Sequence, residues 1–118
     1  MVAASLYYLV DKDRNIVGST SFRHYLNEEL AIFGGHIGYW IHPDFRKRGY
    51  AKLALRLTLE RCRELGLKRV LLTCSKSNIA SAKVIQSQGG VLENELETSD
   101  GEITQRYWIE IEEFGGTV

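Results

Sequence analysis

The stretch Ile41-His-Pro-Asp-Phe-Arg-Lys-Arg-Gly-Tyr-Ala51 joins two segments with different hydrophobic periods. Before it, residues 36–42 are rich in Ile, Tyr and Trp, as is typical of a strand, and Pro43 ends that pattern. After it, residues 49–65 place apolar side chains at helical spacing opposite a charged stripe. The sequence therefore predicts a strand, a basic loop and an amphipathic helix. The predicted buried face of the helix consists of Ala51, Ala54, Leu55, Leu57, Leu59 and Cys62.

Upstream of this unit lie two apolar and aromatic runs. They cover residues 6–10 and 16–22, and the polar segment 11–15 between them suits a turn. We predict a β-hairpin, followed by a loose connection that closes at Gly34-Gly35.

Downstream, residues 70–74 form a continuous apolar run, which is typical of a strand covered on both faces. A strand, a crossover helix and a second strand form a βαβ-like unit, so we predict that strands 36–42 and 70–74 are parallel neighbours. Residues 78–88 predict a second helix, and residues 91–97 and 103–111 predict a second hairpin.

Length and composition indicate one globular domain. The chain has 118 residues, of which 44% are apolar and 25% charged. We predict a single α/β domain over residues 1–118, with a mixed sheet and the element order β-β-β-α-β-α-β-β. We expect residues 114–118 to form a frayed tail.

Charge separates along the chain although the formal net charge is zero. Residues 46–69 carry nine basic and two acidic side chains, a net +7, whereas residues 93–113 carry a net −7. Zero net charge gives no reason to expect nucleic acid or a membrane surface as a partner. The separation indicates either two solvated faces or an anionic ligand near residue 46.

Targeting and cysteine patterns point to the cytoplasm. No apolar run reaches the length of a membrane span, and the first residues lack the positive region of a secretory signal. Cys62 and Cys74 have neither the spacing of a disulfide framework nor that of a zinc motif. We therefore expect reduced thiols, no metal site and a cytoplasmic protein.

The segment Arg46-Lys-Arg-Gly-Tyr-Ala51 has the chemistry of an anion site. The first turn of a helix offers unpaired N–H groups and the positive end of the helix dipole, and both attract phosphate. Gly49 lets the backbone approach a phosphate closely, and the flanking cations add charge-assisted contacts. Taken alone, the pattern also fits an ordinary basic helix start.

Two motifs in this order resemble the GNAT superfamily of N-acetyltransferases, over nearly the whole chain. The segment 41–51 resembles that family's strand followed by an R/Q-x-x-G-x-G/A loop. Asn78-Ile-Ala-Ser81, with Gly89 beyond it, resembles the family's helix after the next strand. Segments 34–39 and 105–108 also resemble an uncharacterised bacterial acetyltransferase-like subgroup.

The resemblance implies an acyl-CoA N-acyltransferase-like fold and acetyl-CoA as cosubstrate. It implies that acetyl-CoA lies in a V-shaped opening between strands 36–42 and 69–75. An amine, on a small molecule or a peptide, would attack the thioester directly, aided by positioning and an oxyanion donor. The implied cofactor-binding residues are Ile41, Arg46, Lys47, Arg48, Gly49, Tyr50, Ala51, Asn78 and Ser81.

The acceptor amine must lose a proton before it attacks, so a general base is expected. The sequence offers several candidates for this base and does not select one of them. His36 begins the strand where this family often carries a base, and the alternative is a structural histidine bonded to backbone. Glu28 and Glu29 border the implied acceptor cleft, or are solvated loop residues. We expect His42 to pack beside the phosphate loop. Four aromatic side chains are expected to fill the core: Tyr39, Trp40, Tyr107 and Trp108.

Two departures from the family pattern define the alternative function. Many relatives place a tyrosine seven residues after the asparagine as proton donor to the leaving thiolate, and this chain has Ile85 there. The chain also has no counterpart of the usual first strand and two helices that shape the acceptor site, which makes a homodimer a plausible cover for the exposed sheet. The alternative is a non-catalytic acyl-CoA-binding or partner-binding module.

Overall fold

The computed structural model describes residues 4–32 and 34–111, which form two three-stranded antiparallel sheets. In the first sheet, β1 and β2 form a hairpin and β3 pairs with β2. In the second sheet, β6 lies between β4 and β5. The strands are β1 Ala4–Val10, β2 Ile16–Arg23, β3 Ile37–Ile41, β4 Arg69–Ser75, β5 Val91–Glu97 and β6 Ile103–Glu110.

Three α-helices and one 3₁₀ turn connect the strands of this described region. The helices are α1 Glu28–Ile32, α2 Tyr50–Glu64 and α3 Ile79–Ser87, and the 3₁₀ turn is Pro43–Phe45. Of these helices, none is long and apolar enough to cross a membrane.

The α/β class and the predicted order of the strands and the two long helices are confirmed. The structure adds α1, in the segment predicted to be a loose connection. Asn27 begins this helix, since its Oδ1 accepts the Leu30 N–H at 2.8 Å. An asparagine followed by two acidic residues is a helix-start signal that the sequence analysis overlooked. The predicted tail at 114–118 lies outside the described residues.

The predicted parallel pairing is wrong in one respect, because β3 and β4 lie side by side but in different sheets. The Leu71 N–H of β4 donates to the imidazole Nδ1 of His36 at 2.9 Å. The His36 N–H in turn donates to the Leu71 carbonyl at 2.7 Å. Leu71 thus bonds to His36 through both its N–H and its carbonyl, and in the described residues no ladder joins β3 to β4 beyond this contact.

The loop before β3 passes very close to β4 at the same point. Gly35 has φ +60°, and a Cβ added there would lie 2.3 Å from the Leu71 carbonyl oxygen. The neighbouring Gly34 N–H donates to Thr73 Oγ1 at 2.7 Å. Only glycine fits position 35, because it tolerates both the positive φ and the close backbone. We call the contacts of Gly34, Gly35 and His36 with Leu71 and Thr73 the sheet junction.

Beyond the sheet junction, unpaired backbone edges face each other. Val17 accepts the His42 N–H and His36 accepts the Arg23 N–H, so the peptide groups of even-numbered β3 residues pair with β2. In an antiparallel ladder the alternate residues point the other way. Tyr39 and Ile41 therefore direct their N–H and C=O groups towards β4. We call the space between these edges of β3 and β4 the gap.

Helix α2 packs against the first sheet with a face that differs slightly from the predicted one. Ala54, Leu55 and Cys62 are buried as predicted, but Leu57 is exposed and Thr58 is buried in its place. Thr58 Oγ1 bonds both to the Ala54 carbonyl at 2.8 Å and to Thr20 Oγ1 of β2 at 3.0 Å. These partners satisfy the hydroxyl, which explains why a polar residue occupies the buried face.

Burial affects the two thiols to different degrees. Cys62 is fully buried, and burial raises the pKa of its thiol to about 12. Cys74 on β4 is half-buried, and burial also raises its pKa. Neither group is a reactive thiolate at neutral pH.

We predict that Gly35→Ala destabilises the protein by more than about 2 kcal/mol, because the methyl group meets the Leu71 peptide in addition to the positive-φ strain. Gly66→Ala is the matched control, since Gly66 has φ +87° with nothing within 4 Å of an added Cβ. It should cost only the strain, about 1 kcal/mol. Denaturant unfolding measures both, and equal losses would contradict the close approach at the sheet junction.

We predict that the sheet junction weakens as the pH falls. Burial lowers the pKa of His36, so protons bind the unfolded chain more readily below about pH 6.5, and the stability present above that pH is progressively lost. His36→Asn keeps an acceptor for Leu71 without a titrating ring. Its free energy of unfolding should fall less than that of the wild type between pH 7.5 and pH 5, and the other two histidines are common to both proteins. Parallel pH profiles would contradict the prediction.

Candidate functional site

The start of α2 is an open helix N-terminus. Gly49 is its N-cap with φ +82°, and no side chain caps it. The first intrahelical bond runs from the Leu53 N–H to the Gly49 carbonyl at 3.1 Å. The N–H groups of Tyr50, Ala51 and Lys52 therefore have no acceptor within the helix. A Cβ added at Gly49 would meet nothing within 4 Å, so the space in front of these donors is open.

The basic loop that precedes α2 is fixed by contacts of its own side chains. Arg46 Nε donates to the Ile41 carbonyl at 2.8 Å and so ties the loop to the end of β3. The Arg48 guanidinium lies over the Phe45 ring at 5.5 Å. Lys47 has φ +64°, a conformation that costs a non-glycine residue about 1 kcal/mol. The loop is thus held in a strained shape with three cations beside the open helix end.

A chain of edge-on aromatic contacts supports the loop from below. Trp40 contacts His42, His42 contacts Phe45, and Phe45 contacts Tyr50, with ring centroids 5.8 to 6.2 Å apart. His42 Nδ1 also accepts the Asp44 N–H at 3.1 Å, which caps the 3₁₀ turn. His42 therefore packs beside the loop as expected. Trp40 does not fill the core, because 49% of it is exposed.

The start of α3 is closed, in contrast to that of α2. Asn78 is its N-cap, and Asn78 Oδ1 accepts the Ser81 N–H at 3.1 Å. Because the amide oxygen serves the helix, a ligand contact of Asn78 would have to use the amide nitrogen. Asn78 is exposed, and Ser81 is half-buried one turn into the helix.

Tyr39 connects β3 to α3 across the core side of the gap. Its hydroxyl lies 2.9 Å from Ser81 Oγ, and its ring packs against the buried core. Burial raises the pKa of Tyr39, and the hydrogen bond with Ser81 partly offsets that effect. The nearby Cys74 raises it further, so three elements converge at this hydroxyl. Tyr39 was predicted only as a core residue, and its contact with α3 has no signal in the sequence.

His36 occupies a structural position in the sheet junction. The ring is 8% exposed, and its Nδ1 accepts the Leu71 N–H, so the neutral ring carries its proton on Nε2. Trp108 lies edge-on at 6.4 Å. A ring in this tautomer can donate from Nε2 but cannot accept a proton there. The geometry favours the structural interpretation of His36 over a general base.

The two glutamates begin α1 rather than lying in a loop. Glu28 is exposed at the first residue of this helix, and Glu29 is the second, with a side chain outside the described parts of the structure. Arg106 of β6 anchors the helix, since its Nε donates to the Ala31 carbonyl at 2.7 Å. This bond ties α1 to the second sheet.

Ile85 is 1% exposed and belongs to the hydrophobic core. It lies on the same helical face as Ser81, one turn further along α3. The added Cβ of Gly90 would lie 2.5 Å from its side chain, so the end of α3 closes tightly over it. This position offers no proton donor.

Solved structures of acetyltransferases share the fold. A variant of the spermidine N-acetyltransferase SpeG from Vibrio cholerae superposes with a TM-score of 0.78 at 18% identity, over 92% of this chain and 66% of that one. The ribosomal-protein-S5-alanine acetyltransferase from Vibrio fischeri superposes with a TM-score of 0.77 at 22% identity, over 94% of this chain and 63% of that one. At these identities the likeness shows the fold.

A curated relative shares part of the sequence. The uncharacterised N-acetyltransferase YnaD from Bacillus subtilis is 36% identical over 61 residues, which are 48% of this chain and 36% of YnaD. The chain thus matches only about a third of this relative's length and about two thirds of the length of the solved structures.

A family profile matches a larger part of the chain. The profile of the acetyltransferase (GNAT) domain covers residues 2–91, which include the sheet junction, the basic loop and α3. Because this match spans most of the 118 residues, the chain belongs to the acetyltransferase (GNAT) domain family.

Proposed function

We propose that this protein transfers an acetyl group from acetyl-CoA to a primary amine by direct attack in a ternary complex. One observation carries the proposal: the uncapped, cation-flanked N-terminus of α2 follows directly on β3, whose free backbone edge faces the gap. This arrangement supports a phosphate site at the start of α2 and, directly beside it, a site for an extended chain along the edge of β3. Membership of the GNAT domain family implies acetyl-CoA as the cosubstrate.

The pyrophosphate would bind at the open helix end. The N–H groups of Arg48, Gly49, Tyr50 and Ala51 would hold its oxygens, with Arg46 and Lys47 as charged neighbours. Arg46 already uses its Nε on Ile41, so its terminal nitrogens are the ones to meet an anion.

The pantetheine arm would lie along the gap. Because Arg46 occupies the Ile41 carbonyl, we assign the Ile41 N–H and the Tyr39 peptide group as the partners of the arm's amides. Asn78 would add its amide nitrogen, and Ser81 would line the arm's far end. These assignments place the thioester near the region where Tyr39, Ser81 and Cys74 converge.

The chemistry requires no covalent enzyme intermediate. The amine nitrogen attacks the carbonyl carbon, a backbone N–H at the β3 edge stabilises the oxyanion, and the C–S bond then breaks. Proton removal from the ammonium form falls to Glu28 or Glu29, or to water, because the His36 ring donates rather than accepts at Nε2.

For the acceptor we propose only a chemical class, a primary amine on a small molecule or a peptide. The names of the neighbours specify a polyamine in one case and an alanine of a ribosomal protein in the other. Both are primary amines, and Glu28 gives the α1 side of this chain an exposed carboxylate that suits a cation. A homodimer remains our expectation, since Leu6, Tyr8 and Val10 are exposed on the edge strand β1. The cytoplasmic location stays a prediction.

A second function is favoured by one observation. Ile85 is buried in the core at the position where relatives place a proton donor. A domain without that donor fits a non-catalytic acyl-CoA-binding module. Incubation with acetyl-CoA and a panel of amines that includes spermidine and an alanine-terminated peptide separates the two, with release of free thiol as the measurement. Turnover with any amine supports transfer, whereas tight binding without turnover on the whole panel supports the module.

We predict that Gly49→Ala lowers acetyl-CoA affinity at least about tenfold, because its methyl group enters the open space in front of the helix N–H groups. Gly66→Ala, at the opposite end of α2, is the matched control. Both glycines have positive φ and nothing within 4 Å of an added Cβ, so the strain is alike. Calorimetric titration should show normal binding in Gly66→Ala. Equal affinities in both variants would reject the phosphate site.

A further inference from the structure

The proton that the leaving thiolate needs has no donor at Ile85, yet a hydroxyl pair lies close by. Tyr39 reaches from β3 to α3, and its hydroxyl bonds to Ser81 Oγ at 2.9 Å. Ser81 and Ile85 share one face of α3 one turn apart. The pair therefore lies one turn nearer to the N-terminus of α3 than Ile85.

We propose that Tyr39 is the catalytic residue that protonates the sulfur of the leaving CoA, and that Ser81 positions its hydroxyl. This inference rests on the proposed function, since it assigns a role within that acetyl transfer.

The position of the ring carries the inference. The Tyr39 peptide group points into the gap, and its side chain passes under the gap on the core side, beside Cys74 of β4. A thioester lying along the β3 edge would therefore pass over the Tyr39 side chain, whose hydroxyl lies on the core side. Tyr39 as a whole is half-buried.

The surroundings of the Tyr39 hydroxyl suit a proton donor that regains its proton after each turnover. A phenol is protonated at neutral pH and burial raises the pKa of Tyr39 further, so the proton is in place when the thiolate forms. The transient phenolate would face the first turn of α3, a nine-residue helix whose positive dipole end favours an anion. Ser81 Oγ can donate to that phenolate and accept from the phenol, because a hydroxyl serves both roles.

The step balances. The ammonium form first loses one proton to the base or to water, and the neutral amine nitrogen then forms a bond to the carbonyl carbon and loses a second proton by the same route. The C–S bond breaks with its electron pair on sulfur, and the Tyr39 O–H proton moves to that sulfur to give the free thiol of CoA. The phenolate regains one proton from solvent, so each transfer releases one proton overall.

The matched pair of variants is Tyr39→Phe and Tyr107→Phe. Tyr107 also bonds to α3, since Gln86 Nε2 donates to its hydroxyl at 3.3 Å, but it is buried in β6, which pairs with the edge of β4 opposite the gap. Tyr39→Phe should lower kcat about 10²-fold with acetyl-CoA affinity unchanged, at the low end of general-acid effects because a thiolate is a good leaving group. Tyr107→Phe should leave kcat within about twofold of the wild type.

A leaving-group test distinguishes proton donation from a structural role. With the selenium analogue of acetyl-CoA, whose more acidic selenol leaves without protonation, the Tyr39→Phe defect should nearly disappear. Ser81→Ala should show a smaller loss that Ser81→Thr restores, because threonine keeps the hydroxyl.

The outcomes separate this inference from the proposed function. Wild-type turnover with an unchanged kcat in Tyr39→Phe would overturn the role of Tyr39 and leave acetyl transfer intact. A Tyr39→Phe defect equally large with the selenium analogue would also overturn it, as a structural effect. Acetyl-CoA binding without wild-type turnover on any amine would overturn both.

Discussion

The peptide group of Leu71 holds the two halves of this protein together. Its carbonyl accepts the His36 N–H, and its N–H donates to the imidazole of the same histidine. A hydrogen-bonded ladder from β3 to β4 would have made one continuous sheet. No such ladder forms beyond this contact in the described residues, so the strands part and the edges that line the gap stay unpaired.

Much of the fold could be predicted from local sequence, because hydrophobic period and turn residues mark each element. Gly49 and Gly66 bound α2 within a residue of the predicted ends, and both hairpins lie where their polar turns indicate. The contact that joins the start of β3 to β4 could not be predicted, because it links two residues that lie 35 positions apart. Thr58 was overlooked for a related reason: its buried hydroxyl is satisfied by Thr20 of a different element.

Of the candidate site, too, only the local features could be predicted from the sequence. The basic loop and the open start of α2 are local features, so the residues around Gly49 could be chosen from the sequence alone. The contacts of the Tyr39 hydroxyl involve side chains from three elements, and proximity in the sequence does not indicate them. His36 was a candidate general base because an unperturbed imidazole titrates near neutral pH. In the structure its Nδ1 instead accepts the Leu71 N–H. Tyr39 was not a catalytic candidate, because an aromatic residue within a strand is usually a core residue.

The sheet junction also constrains how the chain is made. During synthesis the first hairpin and β3 are complete by residue 41, but the contact that fixes the start of β3 waits for Leu71. All of α2 must leave the ribosome before that contact forms, so the gap acquires its shape only after α2 and β4 have been synthesised. Contacts between residues this far apart delay folding, and this one leaves the edge of β3 unprotected in the nascent chain until β4 is synthesised.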